Sequence, residues 1–594
     1  MKPFDQFDKD KATVWLIFIA AFAALFLTET SVGFVQDESV YFYAAERYIQ
    51  WLRLLLNSPA LALRDDAIVA AFDYNHEHPA LMKLSFGISH LLFTEKLGWL
   101  RPAAGFRLPA FAIAACIPPL LYQLGRPLFG RTAGLFAALS FFLVPRQFFN
   151  AQLACFDIPV AALWLWVVYL FWRAQTEPKL WILCGFAFGL SIATKHNALF
   201  LPFVLTPFAL WRAWVASAGN SSSRRAVIQF IALLAGAALF LSTMWAALGF
   251  EQFVARFTLL SPQTFLMLGA WAGAAAILLN VRSSPETFRP LATLGAMMFL
   301  GPVVFYLHWP YLWHAPVDRT AWYLQFHATH VHYAWFYLGK LLREPPFPLE
   351  YVWVKTALTV PTSLFVPMIL GLVTVVIAKT TRRWEVFLIA ANALASIILI
   401  SHPQVPHFGG VKHWFPSMTF LSLLAGVSVS RAANAIAELG SQPWQKRIAA
   451  PALFVLLLLP AAIGTAHIYP YGTSAYSELA GGAPGAATLG MQRQFWSNNV
   501  TGVLPWVNSH APPNARLWLD EVTGLAFHHY QRNGMLRPDI RSAGSAAESD
   551  LAAYQYHQEF REHEYSIWQA YGTEIPVTGL YVDETPQVVV YQRR

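Results

Sequence analysis

The sequence predicts a polytopic all-α membrane bundle of about thirteen transmembrane helices. Helices along its outer face and a small C-terminal α/β extracytoplasmic domain complete it. Three observations predict this class. Hydrophobic residues make up 56% of the 594-residue chain and charged ones only 12%, outside the range of an ordinary soluble protein. Apolar runs of about 17–25 residues recur, each long enough to cross a hydrocarbon core of about 30 Å. Lysines and arginines gather at alternate ends of those runs, as the positive-inside rule requires.

Lys2, Lys9 and Lys11 place the N-terminus in the cytoplasm. The first span, about 13–34, is too long for a removable signal peptide and lacks its small-residue cleavage site, so it is read as a retained helix. The stretch His78–Leu97 is read as an amphipathic helix on the outer leaflet, because crossing there would put Arg126 and Arg131 outside and reverse every later loop. The second to fourth spans are then 106–125, 131–150 and 157–174. Spans 180–196 and 198–215 form a hairpin, followed by 226–248, 262–280 and 288–308. The last four are 355–378, 384–401, 413–430 and 449–467. Residues 1–467 form the transmembrane module, with a first outer loop at 35–105 and another at 309–354.

Residues 468–594 contain no spanning run and form the outer-face domain, with a strand at Ala515–Val522, a helix at Asp550–Tyr571 and a hairpin at Gly579–Val590. The Gly-rich segment Tyr471–Trp496 lacks a strand-to-helix phosphate-loop pattern and reads as a connector. Cys116, Cys155 and Cys184 lie far apart in apolar stretches, as packed thiols. The net charge of +8 is distributed around the spans and carries no nucleic-acid pattern, so the expected surroundings are a lipid bilayer and not a nucleic acid.

With this topology the unusual polar residues fall on one side. Asp37 and Glu38 open the first outer loop, and His78 and Lys83 sit at the surface helix. Asp157 begins the fourth span, Lys195 and His196 end the fifth, Trp309 and Tyr311 follow the ninth, and Lys412 and His413 precede the twelfth. Ionisable groups at a membrane boundary are functional candidates. A transporter would place them near the midplane, between broken helices. A ring at the outer face suits group transfer from a lipid-phosphate donor. There a carboxylate takes the proton of an attacking hydroxyl and cations receive the charge of the departing phosphate. Asp37 or Glu38 suits the base and Asp157 the second acid. Lys195, His78, Lys83 and Lys412 suit the phosphate, and His196, His413, Trp309 and Tyr311 are substrate-contacting candidates. A transporter or flippase for lipid-linked sugars is the rival reading, needing carrier recognition but no essential base.

At these residues the chain resembles the GT-C glycosyltransferases, in the protein O-mannosyltransferase-like branch that includes the lipid A aminoarabinose transferases. The Asp37-Glu38 pair resembles that branch's acidic motif, and His78-Pro79-Ala80-Leu81-Met82-Lys83-Leu84 its His-Pro-Pro-Leu-x-Lys-Leu helix start. Phe106–Pro109 through Leu128–Arg131, Asp157, and Ala193-Thr194-Lys195 are similar to its second span, second-loop acid and Thr-Lys-Gly corner. Phe408–Pro416 resembles a Gly-Gly-x-Arg-His-Phe-Leu-Pro segment. Ala80 departs from the second proline and His196 from the glycine after the lysine. The resemblance implies a GT-C-type bundle in a bacterial inner membrane, N-terminus cytoplasmic and C-terminal domain periplasmic. It further implies a polyprenyl-phosphate sugar donor, an inverting transfer, and a protein, lipid or glycan acceptor.

Blander roles stand beside these. Asp37 could orient substrate or cap a helix, and Glu38 could pair with Arg47 or Arg53. Asp157 could be an N-cap and Lys195 a snorkelling cation. Arg107 and Arg131 read as positive-inside anchors. Trp309, Trp313, Tyr323, Trp335, Tyr337 and Trp353 could be an interfacial belt or a cover over the donor. His330 and His332 at i,i+2 do not share a helix face, so no cofactor is expected and a catalytic divalent metal is not favoured.

Overall fold

The computed structural model describes residues 3–177, 179–232, 235, 284–377 and 382–593. Among them, eight helices are long and apolar enough to cross a membrane: Asp10–Ser31, Pro102–Phe129, Asp157–Ala174, His196–Ala216, Pro285–Leu307, Arg383–Ile400, Lys412–Leu439 and Pro443–Ile468. A ninth is the pair Arg131–Leu143 and Pro145–Ala151, bent by 75°. Shorter apolar helices, Leu180–Thr194 and Thr362–Ile377, stand where the fifth and tenth spans are expected. The expected seventh and eighth spans lie outside the described residues apart from the helical start at 226–232 and residue 235.

Among the described residues, two expected spans are broken by an extended residue, each just before a proline. Val144, before Pro145, is extended (φ −94°, ψ 116°), so 131–150 is bent rather than straight. Val360, before Pro361, is extended as well, and it separates the helix Tyr351–Thr359 from Thr362–Ile377. Proline removes a helix donor and pushes the residue before it out of the α region. Elsewhere small residues let helices approach closely. A Cβ on Gly371 would lie 1.9 Å from the Leu424 carbonyl oxygen, and one on Gly426 2.2 Å from that of Ala133.

At one end of the bundle Arg126 pairs with Asp10 at 2.5 Å, and Arg382 Nη1 donates to the Pro127 carbonyl at 2.7 Å. At the other end the first loop folds into the helices Gln36–Asn57, Asp65–Phe72 and Leu81–Ser89, and the later loop supplies Pro316–Ala328. The stretch expected to be a surface helix at 78–97 is helical over Leu81–Ser89 and continues as a π-turn to Lys96.

The short hairpin β1 (Trp335–Tyr337) and β2 (Lys340–Leu342) precedes a five-stranded C-terminal sheet in the order β4-β3-β5-β7-β6. Its strands are β3 (Arg516–Leu519), β4 (Arg541–Ser542), β5 (Leu551–Gln555), β6 (Thr578–Val582) and β7 (Thr585–Gln592). The expected helix Asp550–Tyr571 is corrected here. Its first part is β5, paired with β3 on one side and β7 on the other with all five residues buried, and the helix begins only at Arg561. Pairing on both edges and burial on both faces favour strand over helix. This region shares an apolar core with the first loop, joining Phe34, Phe42 and Phe106 to Val500, Leu517 and Tyr530. The Tyr530 hydroxyl accepts from the Phe34 amide at 3.1 Å.

Candidate functional site

Two acid–lysine pairs form the centre of the site. Asp37 lies in the first turn of Gln36–Asn57, where carboxylates suit the positive end of a helix. Lys412 Nζ donates to Asp37 Oδ2 at 3.0 Å. Lys412 follows Gly409 and Gly410, both left-handed (φ +66° and +68°), a conformation that turns the loop back on itself and that glycine adopts without strain. Asp157 opens the helix Asp157–Ala174, and Lys195 stands in extended conformation at the C-terminal end of Leu180–Thr194. Lys195 Nζ donates to Asp157 Oδ1 at 2.6 Å, with both side chains buried.

The pairs are close to one another. Burial, then the charges of Asp37, Cys155, Asp157 and Glu77, holds the Tyr41 hydroxyl well above its usual pKa. The Cys155 thiol is pushed up by burial and by Asp37, Glu38 and Asp157, with Lys412 opposing. Asp37 keeps a side-chain exposure of 29%, whereas Lys412 keeps 4%, so of this pair the carboxylate is the reachable member.

Glu38 has a different environment from its neighbour. Its side chain is fully buried, and Arg107 grips it with two bonds, Nε to Oε1 at 2.8 Å and Nη2 to Oε2 at 2.7 Å. The Ala154 amide donates to Oε1 at 2.8 Å. Arg107 also donates to the Gly33 carbonyl at 3.1 Å and lies 3.5 Å from Glu29. The expectation that Arg107 is a positive-inside anchor is therefore wrong, and so is the pairing of Glu38 with Arg47 or Arg53. Arg53 pairs with Glu95, and Arg47 donates to the Ala70 carbonyl. A buried carboxylate needs a buried, multiply hydrogen-bonded cation, and a bidentate guanidinium supplies one. The signal in the sequence was an arginine one residue into an apolar helix, at the end where positive-inside charge is not expected.

His78 lies against Tyr41 and Phe156, near Lys195. Its ring meets Tyr41 and Phe156 edge-on, and its Nδ1 finds no hydrogen-bond partner among the described residues. Burial, then Lys195 and Lys83, holds its pKa well below the ordinary histidine value. Lys83 serves the turn beneath it. Nζ donates to the Asn75 carbonyl (2.6 Å), Asn75 Oδ1 (3.1 Å) and the His78 carbonyl (2.9 Å), engaging all three protons. Burial pushes its pKa down to about 7. His196 stacks on His327 at 3.7 Å. His327 Nε2 donates to the Glu77 carbonyl at 2.9 Å, and burial holds its pKa down at about 4.

His413 Nε2 donates to the Phe408 carbonyl at 3.1 Å. Trp309 is fully buried among Phe305, Tyr311 and Tyr323, inside the wall of the outer loop. Tyr311 lies beside His76, with the Arg319 guanidinium 4.6 Å above its ring. One group of metal-ligand type occurs among the described residues, Asp520, Glu521 and His563, whose ligand atoms lie within 4.8 Å of one another on the C-terminal region. It is separate from the acid–lysine pairs, and His563 Nδ1 there donates to Asp520 Oδ1 at 2.7 Å.

Fold and site together define a multi-pass helical membrane protein with paired carboxylates and lysines at one end of its bundle. Residues 78–245 match the family described as dolichyl-phosphate-mannose-protein mannosyltransferase. The matched segment contains His78, Asp157 and Lys195, three of the residues whose motifs resemble the GT-C glycosyltransferases. A comparison with curated proteins finds no match. Among solved structures, the chain is similar to ArnT from Cupriavidus metallidurans bound to undecaprenyl phosphate, at 13% identity and TM-score 0.46, covering 98% of each chain. It is also similar to the oligosaccharyltransferase AglB from Archaeoglobus fulgidus in complex with an inhibitory peptide and a dolichol-phosphate. That likeness has 9% identity and TM-score 0.49, covering 96% of this chain and 72% of that one.

Proposed function

We propose that this chain is an inverting glycosyltransferase. It moves one sugar from a polyprenyl-phosphate donor to a hydroxyl acceptor at the outer face of the inner membrane, with its N-terminus cytoplasmic and residues 468–594 periplasmic. The observation that carries the reading is the adjacency of the Asp37–Lys412 and Asp157–Lys195 pairs. An acceptor hydroxyl needs a carboxylate to take its proton as it attacks, and a departing phosphate needs cations.

In this reading Asp37 takes the proton of the acceptor hydroxyl. The acceptor oxygen bonds to the anomeric carbon from the face opposite the phosphate. The bond from that carbon to the phosphate oxygen breaks, and its electron pair stays on the polyprenyl phosphate. Lys195, with His78 beside it, receives that charge. Asp157 aims Lys195, Lys412 aims Asp37, and Glu38, held by Arg107, fixes the helix turn that carries Asp37. Lys83 positions His78 through the Asn75–His78 turn rather than reaching substrate. The neutral imidazoles of His78 and His327 keep the pocket from repelling Lys195 before the donor arrives.

The test is transfer of radiolabelled sugar from polyprenyl-phosphate donors by the purified protein in nanodiscs. Labelled acceptor together with released polyprenyl phosphate supports the reading. Movement of the intact donor across liposomes, with no transfer to protein, lipid or glycan acceptors, overturns it in favour of a flippase.

A further inference from the structure

Two buried basic side chains lie beside the site without an acid partner. Arg146, on the short helix Pro145–Ala151 beyond the bend, is 3% exposed, and Lys355, on Tyr351–Thr359, is 1% exposed. Both lie over the same two rings: Arg146 at 5.1 Å from Tyr476 and 5.6 Å from Phe495, Lys355 at 4.6 and 5.0 Å. Their polar contacts are neutral. Arg146 Nε donates to the Ala475 carbonyl at 3.1 Å, and Lys355 Nζ to the Tyr476 hydroxyl at 2.5 Å. Among the described residues neither has a carboxylate partner. Arg146 Nη2 is buried with no acceptor, and both side-chain polar atoms of the neighbouring Gln147 are buried and unpartnered as well.

Burying one charge is costly, and burying two of the same sign side by side costs more unless a counter-charge joins them. Aromatic faces offset part of that for a cation but supply no hydrogen-bond acceptor. An orphaned guanidinium nitrogen beside an ammonium group matches an oxyanion, which accepts from both. The position links this pair to the reaction centre. A Cβ on Gly410 would lie 3.3 Å from Arg146 Nη1, and one on Gly409 2.9 Å from Lys412 Nζ, so one short loop touches Arg146 and carries the partner of Asp37. Val411 of this loop lines, with Arg146, Gln147, Thr356 and Thr359, a space of only about 10 Å³ that Lys355 does not line, so a phosphate group could reach both basic side chains only with this loop displaced.

We infer that Arg146 and Lys355 form a second anion subsite that receives a phosphate group, distinct from the one at Lys195. Assigning that phosphate to the lipid-linked donor rests on the proposed glycosyltransferase reading; a phosphorylated glycolipid acceptor presents the same group. Occupancy would shift the Gly409–Lys412 loop and so the hold on Asp37, coupling ligand binding to the arrangement of the acid.

The experiment compares the full-length protein in detergent with Lys355→Met and Arg146→Gln. Melting temperature is read alone and with undecaprenyl phosphate, a phosphorylated glycolipid lacking the polyprenyl chain, or inorganic phosphate. The inference predicts that Lys355→Met melts no lower than wild type without ligand, since a buried amine with no acid partner has been replaced by an apolar chain, yet binds at least one phosphate ligand tenfold or more weakly. A buried cation that only supports the fold gives the opposite pattern, lower melting and unchanged affinity. Loss confined to undecaprenyl phosphate assigns the subsite to the donor, and loss confined to the glycolipid assigns it to the acceptor. Unchanged affinity for all three probes in Lys355→Met overturns the inference, whatever the folding of Arg146→Gln. Binding is read apart from catalysis, so absence of sugar transfer would refute the proposed function and leave this result standing.

Discussion

Glu38→Gln separates the two adjacent acids by function. The substitution keeps the shape of the side chain and removes its charge, leaving Arg107 fully buried with a neutral partner and the weaker contact to Glu29 at 3.5 Å. Breaking a buried ion pair by neutralising one member costs about 3–5 kcal/mol, because the remaining charge is uncompensated. Glu29 and the Gly33 carbonyl soften this, so the low end, about 3 kcal/mol, is expected, roughly a 150-fold change in an equilibrium constant. The amide also retains an oxygen for the Ala154 amide, which Glu38→Ala would not. The assay is the midpoint of thermal inactivation in detergent, since a large membrane protein unfolds irreversibly and its stability is read as a rate. Arg107→Lys should destabilise similarly, because an ammonium cannot make the bidentate grip. Transfer measured well below the inactivation temperature should persist in Glu38→Gln. Unchanged inactivation together with complete loss of transfer would refute the assignment of Glu38 as a tether and make it a reacting group.

Three further outcomes follow from particular contacts. Burial holds the His78 pKa well below its ordinary value and those of His327 and His407 at about 4. Unfolded histidines bind protons first, so this stability is complete above about pH 6.5 and is lost as pH falls toward 4, by on the order of 3 kcal/mol for His407 alone; acid-dependent melting reads it, and a flat profile contradicts it. Gly409→Ala would place a Cβ 2.6 Å from Lys412 Cε at a left-handed position, so transfer should fall by more than melting does, and equal effects on both would contradict the role of the loop in aiming Lys412. Gly371→Ala meets the Leu424 carbonyl at 1.9 Å, so the two helices must part; melting should drop by an amount equivalent to about 1–3 kcal/mol, and an unchanged midpoint would contradict that close packing.

Much of the site was legible because local signals marked it. Paired acids after an apolar span, a His-Pro helix start and a lysine ending a helix stand out against a membrane composition, and the structure brings Asp37, His78, Asp157, Lys195 and Lys412 into one neighbourhood. Partner choice was not legible. Arg107 stands out in the sequence only by lying at the end of its span where anchoring charge is not expected; its partner Glu38, 69 residues away along the chain, is revealed by tertiary placement. Lys83 looked like a phosphate ligand, but the turn at Asn75–His78 engages its three protons. The spans among the described residues were readable from hydropathy, while their interruptions at Pro145 and Pro361 were hidden within continuous apolar runs. In the C-terminal region Leu551–Gln555 has no clean alternation because both of its faces are buried, so period alone misled.

The central claim is that Asp37 removes the acceptor proton. The most direct measurement is the single-turnover transfer rate of Asp37→Asn against wild type, with donor affinity measured on the same preparations. The account predicts a rate lower by about 100- to 10,000-fold with donor affinity within a few-fold of wild type, the range that a positioned general base contributes. A rate within tenfold of wild type at intact binding would contradict it.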